Sequence, residues 1–238
     1  MISDSLEHHF ESFRKNTIGY SHNFCFPSGE KEIIYADWTA SGRGYQPIES
    51  ALQEHVLPFF ANTHTETTIT GTLMTRAYEA AKATIKNHVN ASEEDVLIFC
   101  GSGITSAVNK LQRILGIRMP EQRVGWKTIR EDEALRPVVF VTSMEHHSNH
   151  VSWLETVATV EIIAQTESGN VDLEHLETLL IRYKNRRTKI AAVTACSNVT
   201  GIQSPYHKVA EMIHAHGGLC FVDFACSAPY VKLDMHQV

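Results

Sequence analysis

The stretch "TKIAAVTACSNVTGIQSPYHKVAEMIHAHGGLCFVD" (residues 188–223) decides the fold class. An apolar run opens the stretch, a helical pattern follows from Pro205 to Gly217, and a second apolar run, "LCFVD", closes it. Runs that are apolar throughout, rather than at alternate positions, are typical of strands buried on both faces of a parallel sheet. The stretch therefore predicts a strand–helix–strand unit with two parallel strands.

The same alternation extends towards the N-terminus. The pattern predicts further strands at 32–37, 95–100, 137–143 and 159–165, helices at 47–60, 74–89, 106–116, 149–157 and 171–184, and a loop at 117–136. Strands alternating with helices predict an α/β fold of three layers, α/β/α, around a mostly parallel sheet. We expect residues 1–30 to form an N-terminal helical arm and residues 31–238 to form one large domain.

Composition excludes several classes of protein. A net charge of −6 and a pI near 6.1 argue against a nucleic-acid binder. Five scattered cysteines without a C-x-x-C motif fit a reducing cytoplasm rather than a disulfide framework. No apolar run has membrane-spanning length, and no signal peptide is visible. The pairs His146/His150 and His214/His216 lack further ligands at zinc-motif spacing, so no metal site is expected.

Polar groups follow four of the predicted strands, where ligands bind in parallel sheets. "GSGITSAVN" (101–109) opens a helix whose free N–H groups could hold phosphate, "MEHHSN" (144–149) offers imidazoles, Asn198 an amide and Asp223 a carboxylate. Each has a structural alternative: a capped glycine turn, a helix cap, a turn asparagine and a salt bridge. A phosphate cradle, a stacking ring, an amide donor and an anion together match pyridoxal 5′-phosphate.

Six motifs carry a resemblance to a known family: "YADWTASG" (35–42), "NTHTETT" (62–68), "GSGITSAVN" (101–109), "SMEHHSNHVSW" (143–153), "SNVTGIQSP" (197–205) and "CFVDFACS" (220–227). Their order and spacing over roughly residues 33–230 resemble the class V aminotransferases, which are pyridoxal 5′-phosphate enzymes of fold type I. Within that family the chain resembles cysteine desulfurases and selenocysteine lyases most. The resemblance implies cleavage of the C–S bond of a cysteine-like amino acid, a homodimer and a sulfur-acceptor protein, with no nucleic-acid or membrane partner.

The resemblance also implies roles for individual residues. His146 would stack on the pyridine ring, Asn198 would donate to its phenolic oxygen, and Asp223 would pair with its ring nitrogen, which makes His146 and Asp223 the candidate catalytic residues. His64 would border the substrate side of the site near the dimer interface. The phosphate would be held by Gly103, Ile104 (through its backbone) and Thr105.

The chain departs from the family pattern in three places. Cys226 stands where relatives have a cofactor-contacting glutamine, and Cys100 or Gly101 replaces an arginine before the phosphate turn. The Schiff-base lysine of the family follows the aspartate by about two dozen residues, and the sequence ends at Val238. Lys232 is a poor substitute. We therefore expect an N-terminal portion of a longer enzyme, incomplete at its C-terminal side and inactive alone.

Three alternatives remain open from the sequence. The first is another class V enzyme, such as an aminotransferase, a kynureninase-like hydrolase or an epimerase-like member. The second is a non-catalytic fragment or pseudoenzyme that acts as a binding or scaffold protein. The third is a nucleotide-binding α/β protein that uses residues 101–109, although neither nucleotide fingerprint is present.

Overall fold

The computed structural model describes residues 2–118 and 133–236. The chain divides into two compact units, one of Met1–Leu97 with Leu233–Val238 and one of Ile98–Lys232. The arm and large domain expected from the sequence stay a prediction. No helix of the described ranges is both long and apolar enough to cross a membrane.

The first unit is mainly helical. It contains α1 (Ile2–Asn16), an antiparallel hairpin of β1 (Asn23–Phe26) and β2 (Gly29–Glu32), α2 (Gln46–Ala51) and α3 (Ile69–His88). One π turn and one 3-10 turn (Leu52–Val56 and Leu57–Phe59) extend α2 through most of the predicted helix. Thr68 caps α3 by accepting from the Gly71 N–H at 3.1 Å. The helix therefore begins at Ile69, before the start predicted at residue 74.

The second unit is built on a parallel sheet. Its strands are β3 (Val138–Thr142), β4 (Thr159–Ile163), β5 (Lys189–Thr194) and β6 (Leu219–Asp223), in the spatial order β4-β3-β5-β6. Its described helices are α4 (Ile104–Ile114), α5 (His147–Leu154), α6 (Leu173–Arg182) and α7 (Tyr206–Ala215). The predicted α/β fold is confirmed, and the elements between residues 137 and 223 are found with ends shifted by a few residues.

Two predicted strands are wrong. Residues 33–37 and 95–100 have no ladder partner in the part of the chain that is described, apart from the end of β2 at Glu32. The side chains of Val96, Ile98 and Phe99 are exposed there. An apolar run becomes a strand only where a neighbouring strand takes its backbone hydrogen bonds. The predicted loop at 117–136 lies largely outside the described residues.

Alternate residues of β3 and β5 fill two separate core layers, because successive strand side chains point to opposite faces. Val138 and Phe140 pack in a cluster with Leu176 and Leu180 of α6 and with Ile213 of α7. On the other face, buried residues from the same two strands pack against α4 and α5, namely Val139, Val141, Ile190, Ala192, Val108 and Trp153. This arrangement is the predicted three-layer α/β/α order.

The strand order places a crevice between β3 and β5. From β3 the chain moves to β4 on one side, and it then returns past β3 to β5 and β6 on the other. In open parallel sheets a ligand binds outside the carboxyl ends of the strands, at the point where the order reverses. The residues that follow β3 and β5 therefore occupy the favoured position for a site.

Candidate active site

The carboxyl ends of β5 and β6 are tied together. Thr194 and Asp223 are register partners, and the Ala195 N–H donates to the Asp223 carbonyl oxygen at 2.9 Å. The Asp223 side chain and the turn that carries Asn198 therefore start from adjacent points of one sheet edge.

Asp223 is a buried carboxylate with little compensation, since its side chain is 6% exposed. Its Oδ1 accepts from the Ala225 N–H at 2.8 Å, and no ion pair reaches it from the described residues. A buried anion is costly unless it is paired with a cation or well hydrogen-bonded. This carboxylate is therefore suited to a cationic ligand group such as a protonated ring nitrogen.

His146 is fixed at the start of α5 and remains exposed. Its Nδ1 accepts from the Ser148 N–H at 3.2 Å and lies 2.8 Å from Ser148 Oγ, so the imidazole caps the helix. The His147 ring lies beside it, with centroids 6.0 Å apart. The capping alternative is confirmed, and the exposed ring is still available to a ligand.

Asn198 is exposed in a turn, and its amide makes no hydrogen bond to the described residues. Ser197 Oγ accepts from the N–H groups of Val199 and Thr200 at 3.3 and 3.2 Å. The Ser197 carbonyl oxygen accepts from the Gly201 N–H at 2.9 Å. Because Ser197 holds the turn, the Asn198 amide can donate to a ligand.

The glycine turn before α4 can bind an anion. Gly103 has extended backbone and caps the helix, and its carbonyl oxygen accepts from the Ser106 N–H at 3.1 Å. The first N–H groups of a helix, here those of Ile104 and Thr105, have no intrahelical acceptor and carry the positive end of the dipole. Gly101 has φ +59°, and a Cβ there would lie 2.2 Å from Ser106 Oγ, so the turn requires glycine.

Helices α4 and α5 begin at the same end of the unit. Near their C-terminal ends the Gln112 amide donates to Ser152 Oγ at 3.1 Å, and just beyond both helices the Val157 N–H donates to the Ile117 carbonyl oxygen at 3.0 Å. The two helices therefore run in the same direction. Because α5 starts at the carboxyl edge of β3, the anion-binding turn lies towards that edge too.

His64 belongs to the first unit, where it stands in a well-defined local setting. Its backbone has φ +67°, unusual for a residue with a side chain. Its N–H donates to Thr75 Oγ1 at 3.0 Å, and its ring lies edge-on to Tyr78 with centroids 6.0 Å apart. Its role at the substrate side stays a prediction.

Glu145 is a residue of this edge that the sequence reasoning missed. Its Oε1 accepts from Thr142 Oγ1 at 2.7 Å and from the Thr194 N–H at 2.8 Å, and the Thr142 N–H lies 3.3 Å away. Its Oε2 accepts from Asn149 Nδ2 at 2.7 Å. The carboxylate thus joins the ends of β3 and β5 across the crevice and stands directly before His146. Its position between a buried strand and His146 was the only signal in the sequence.

The network around Glu145 continues into the core and to the next strand. Asn149 Oδ1 accepts from the indole N–H of the fully buried Trp153 at 3.1 Å. Thr194 Oγ1 donates to the Cys196 carbonyl oxygen at 2.8 Å. Burial raises the pKa of Glu145 even though the four donors oppose the shift. Glu145 therefore fixes the relative positions of the ends of β3 and β5, whereas Asp223 has few protein contacts and could bind a ligand.

The groups at this edge fit pyridoxal 5′-phosphate by their chemistry. The buried Asp223 carboxylate lacks a cationic partner among the described side chains, the Asn198 amide has an unused donor, and the first turn of α4 presents unpaired N–H groups. These groups match the ring nitrogen, the phenolic oxygen and the phosphate of the cofactor.

Comparison with known proteins identifies the family. The sequence profile of the family described as "Aminotransferase class-V" matches residues 34–238. A "Probable cysteine desulfurase" of Halalkalibacterium halodurans is 29% identical over 222 residues, which cover 90% of this chain and 50% of that protein. One of Staphylococcus aureus is 30% identical over 212 residues, covering 87% and 47%. The chain spans about half the length of the curated relatives it matches.

Solved structures support the same fold. The apo structure of a cysteine desulfurase from Thermococcus onnurineus NA1 superposes with a TM-score of 0.69 at 21% identity, covering 94% of this chain and 49% of that chain. The cysteine desulfurase CsdA from Escherichia coli gives 0.60 at 22% identity, covering 82% and 45%. These structures establish the three-layer fold, and the profile match over most of the sequence shows that the chain belongs to the class V aminotransferase family.

Proposed function

We propose that the chain is part of a pyridoxal 5′-phosphate enzyme that cleaves the C–S bond of a cysteine-like amino acid. The observation that carries the proposal is the buried Asp223 carboxylate, which has no cationic partner among the described residues. It lies at the carboxyl edge of the sheet, the edge that also carries the His146 imidazole and the Asn198 amide and towards which the start of α4 lies. The names of the relatives support cysteine as the substrate.

In this proposal each residue of the site has one role, which its contacts support. The N–H groups of Ile104 and Thr105 would bind the phosphate, with Gly103 allowing close approach. Asp223 would keep a proton on the ring nitrogen, and the Asn198 amide would donate to the phenolic oxygen. When bound, the cofactor supplies an electron sink for the bond cleaved at the substrate.

His146 orients the ring and can move a proton. Because Nδ1 accepts from the Ser148 N–H, the neutral imidazole carries its proton on Nε2. That nitrogen could exchange a proton with a group on the substrate, and the face of the imidazole would pack on the pyridine ring of the cofactor. The helix cap fixes the imidazole orientation on which both roles depend.

The complete protein acts, in this proposal, as a cytoplasmic homodimer that passes sulfur to an acceptor protein. His64 borders the substrate side of the site, and the cofactor-binding lysine lies about two dozen residues after Asp223 in the complete sequence. The odd set of five cysteines without a C-x-x-C motif supports a reducing compartment.

The test is an assay of the complete gene product with cysteine, pyridoxal 5′-phosphate and excess dithiothreitol. The thiol reductant is needed because conversion of cysteine to alanine leaves sulfur at the level of elemental sulfur, which takes up two electrons to become sulfide. We expect sulfide and alanine in equal amounts, with selenocysteine run in parallel to separate the two substrates. The Asp223→Asn variant should lose most of this activity, whereas Glu211→Gln on the exposed face of α7 should keep it. Amino-group transfer to a keto acid without sulfide release would favour an aminotransferase, and failure to bind the cofactor would overturn the proposal.

A further inference from the structure

Two thiols that the proposed reaction does not use lie beyond the ends of β5 and β6. Cys196 and Cys226 are both partly buried, and the Cys226 thiol donates to the Cys196 carbonyl oxygen with a sulfur–oxygen distance of 3.0 Å. The Cys226 sulfur therefore packs directly on Cys196, although thirty residues separate the two in the sequence.

The backbone holds these two cysteines in place. The Ala195 N–H bond to the Asp223 carbonyl oxygen lies one residue before Cys196 and three before Cys226. On the other side of Cys196, its own segment is fixed by the Ser197 N–H bond to the Ile202 carbonyl oxygen at 2.9 Å. These bonds hold both cysteines just beyond the paired ends of β5 and β6, in turns that can adjust while the strand pairing stays intact.

The electrostatic surroundings show which groups face Cys226. Burial raises the pKa of the Cys226 thiol, and the Cys196 thiol and then the Asp223 carboxylate raise the pKa further. Such effects require the second thiol and the carboxylate to be close neighbours. The pair therefore lies beside the carboxylate that we assign to the ring nitrogen.

The other cysteines differ in their surroundings. Cys220 packs against the core, and its burial raises the pKa of its thiol to about 11. Cys25 is exposed in the β1–β2 hairpin, with its sulfur 3.9 Å from Glu30 Oε1. Among the cysteines, all of which are described, Cys226 is the one whose raised thiol pKa has a neighbouring thiol among its causes.

We propose that Cys196 and Cys226 form a thiol pair that closes reversibly into a disulfide on reaction with a low-molecular-weight disulfide such as oxidised glutathione. We further infer that closure weakens cofactor binding, a part of the proposal that rests on the proposed function.

The reaction balances in two exchange steps. One cysteine thiolate attacks glutathione disulfide, forms a mixed disulfide and releases one glutathione thiolate. The second cysteine thiolate then attacks the protein sulfur of the mixed disulfide and releases the second glutathione. Two cysteine thiols are oxidised, one glutathione disulfide is reduced to two thiols, and excess glutathione reverses the reaction.

Closure would act on Asp223 through the turn after β6. The Ala225 N–H that binds Asp223 Oδ1 comes directly before Cys226. A disulfide requires the Cys226 sulfur to leave the Cys196 carbonyl oxygen and to bond the Cys196 sulfur, so this turn must adjust. The carboxylate would then lose alignment with its one described donor and with the ring nitrogen.

The first experiment measures closure without the cofactor. The chain is incubated with oxidised glutathione at about pH 8.5, where thiolates form more readily, and is analysed by thiol counting and intact mass. We expect two of the five thiols to disappear with a mass loss of two hydrogens, and a cross-linked peptide that joins Cys196 to Cys226. Retention of all five thiols, or a cross-link to another cysteine, would overturn the proposal.

Matched variants separate the pair from the other thiols. Cys25→Ser and Cys220→Ser should still close, whereas Cys226→Ser should stop at a mixed disulfide with one glutathione on Cys196. Closure of the Cys226→Ser variant through a different cysteine would contradict the assignment.

The second experiment measures pyridoxal 5′-phosphate affinity before and after oxidation. We expect a loss of at least about 10-fold, the order expected for a weakened charge-assisted hydrogen bond, with recovery on reduction. An unchanged affinity would refute the link to the cofactor site. Failure of the reduced chain to bind the cofactor would instead count against the proposed function, because disulfide closure is scored separately.

Discussion

Two carboxylates with several hydrogen bonds behave in opposite ways. Glu145, in the second unit, accepts from four neutral donors, and burial nevertheless raises its pKa. Asp95, at the surface of the first unit, accepts from His236, from the Ser92 N–H and from Ser92 Oγ, and its pKa falls to about 2. Solvent access, more than the number of donors, decides the direction of the shift.

Asp223 is a third case. It is more buried than Asp95 and has fewer donors than Glu145, with one backbone N–H described. The two carboxylates at the carboxyl edge of the sheet, Glu145 and Asp223, therefore have different roles. Glu145 hydrogen-bonds to the ends of β3 and β5, and Asp223 has the role of pairing with a cationic group in the proposed function.

The largest expected effect is on function at Asp223. In the proposed function, replacement by asparagine removes the charge that would keep the ring nitrogen protonated, so we expect sulfide release by the complete protein to fall on the order of 100-fold. Thermal unfolding of the variant should stay close to that of the wild-type chain, because few protein contacts are lost. A large loss of stability with unchanged activity would reverse the roles assigned to Asp223 and Glu145.

The second prediction concerns the stability contributed by Glu145. In Glu145→Gln the new NH2 group faces the NH2 group of Asn149, so two hydrogen-bond donors oppose each other. Turning the Asn149 amide around would instead place its NH2 group against the indole N–H of Trp153. We expect a loss of about 3 kcal/mol in the free energy of unfolding, measured with urea.

A second substitution tests the cause of that loss. Adding Asn149→Asp supplies an acceptor for the new amide and keeps one for Trp153, so the double variant should recover more than half of the loss. Glu155→Gln, an exposed position just after α5, serves as the control and should change the stability by less than about 0.5 kcal/mol. Absence of any recovery would show that the hydrogen-bond pattern is not the cause.

The third prediction gives the sign of a pH dependence. The pKa of Glu145 is raised in the folded protein above the value of 4.5 that it has in the unfolded chain. Such a group stabilises the folded state at pH values below 4.5, and this stabilisation is lost as the pH rises through the raised pKa. The stability difference between the wild-type chain and Glu145→Gln should therefore shrink from about pH 4 to about pH 7. Urea unfolding across this range checks the slope, and a growing difference would contradict it.

The smallest effect is expected at Asp95, with the opposite sign. The pKa of Asp95 is lowered from 3.8 in the unfolded chain to about 2 in the folded protein. Asp95 therefore stabilises the folded state at pH values above 3.8, and this stabilisation is lost as the pH falls towards 2. The difference between the wild-type chain and Asp95→Asn should therefore vanish in acid. It should also shrink in high salt, since the pair with His236 is exposed to solvent. A salt-independent difference would argue against this assignment.

The sequence predicts the sheet better than it predicts the site. Strands β3, β5 and β6 are predictable because their apolar runs are continuous and turn residues bound them. The run at 95–100 is also continuously apolar after Asp95, but the described structure provides no neighbouring strand for it. Composition measures the tendency to be buried, and the position of the neighbours decides whether a strand forms.

Site residues at strand ends could be selected from local sequence, because parallel sheets bind ligands there. The Glu145 network could not be, since its donor Thr194 lies 49 residues away and no spacing rule connects the two. The Cys196–Cys226 contact is equally remote in sequence. The sequence thus offers candidates for ligand-binding groups but does not show which residues hold them in place.

The parallel order of the sheet has a consequence for how the site forms in time. Every strand pair of the second unit joins segments that are distant along the chain, as in the pairing of Val138 with Lys189. Loop closure must precede such contacts, so chains rich in them fold slowly. The edge that carries His146, Asn198 and Asp223 should therefore assemble only after β5 and β6 have both docked. A nascent chain would have no partly built site that could capture the cofactor early.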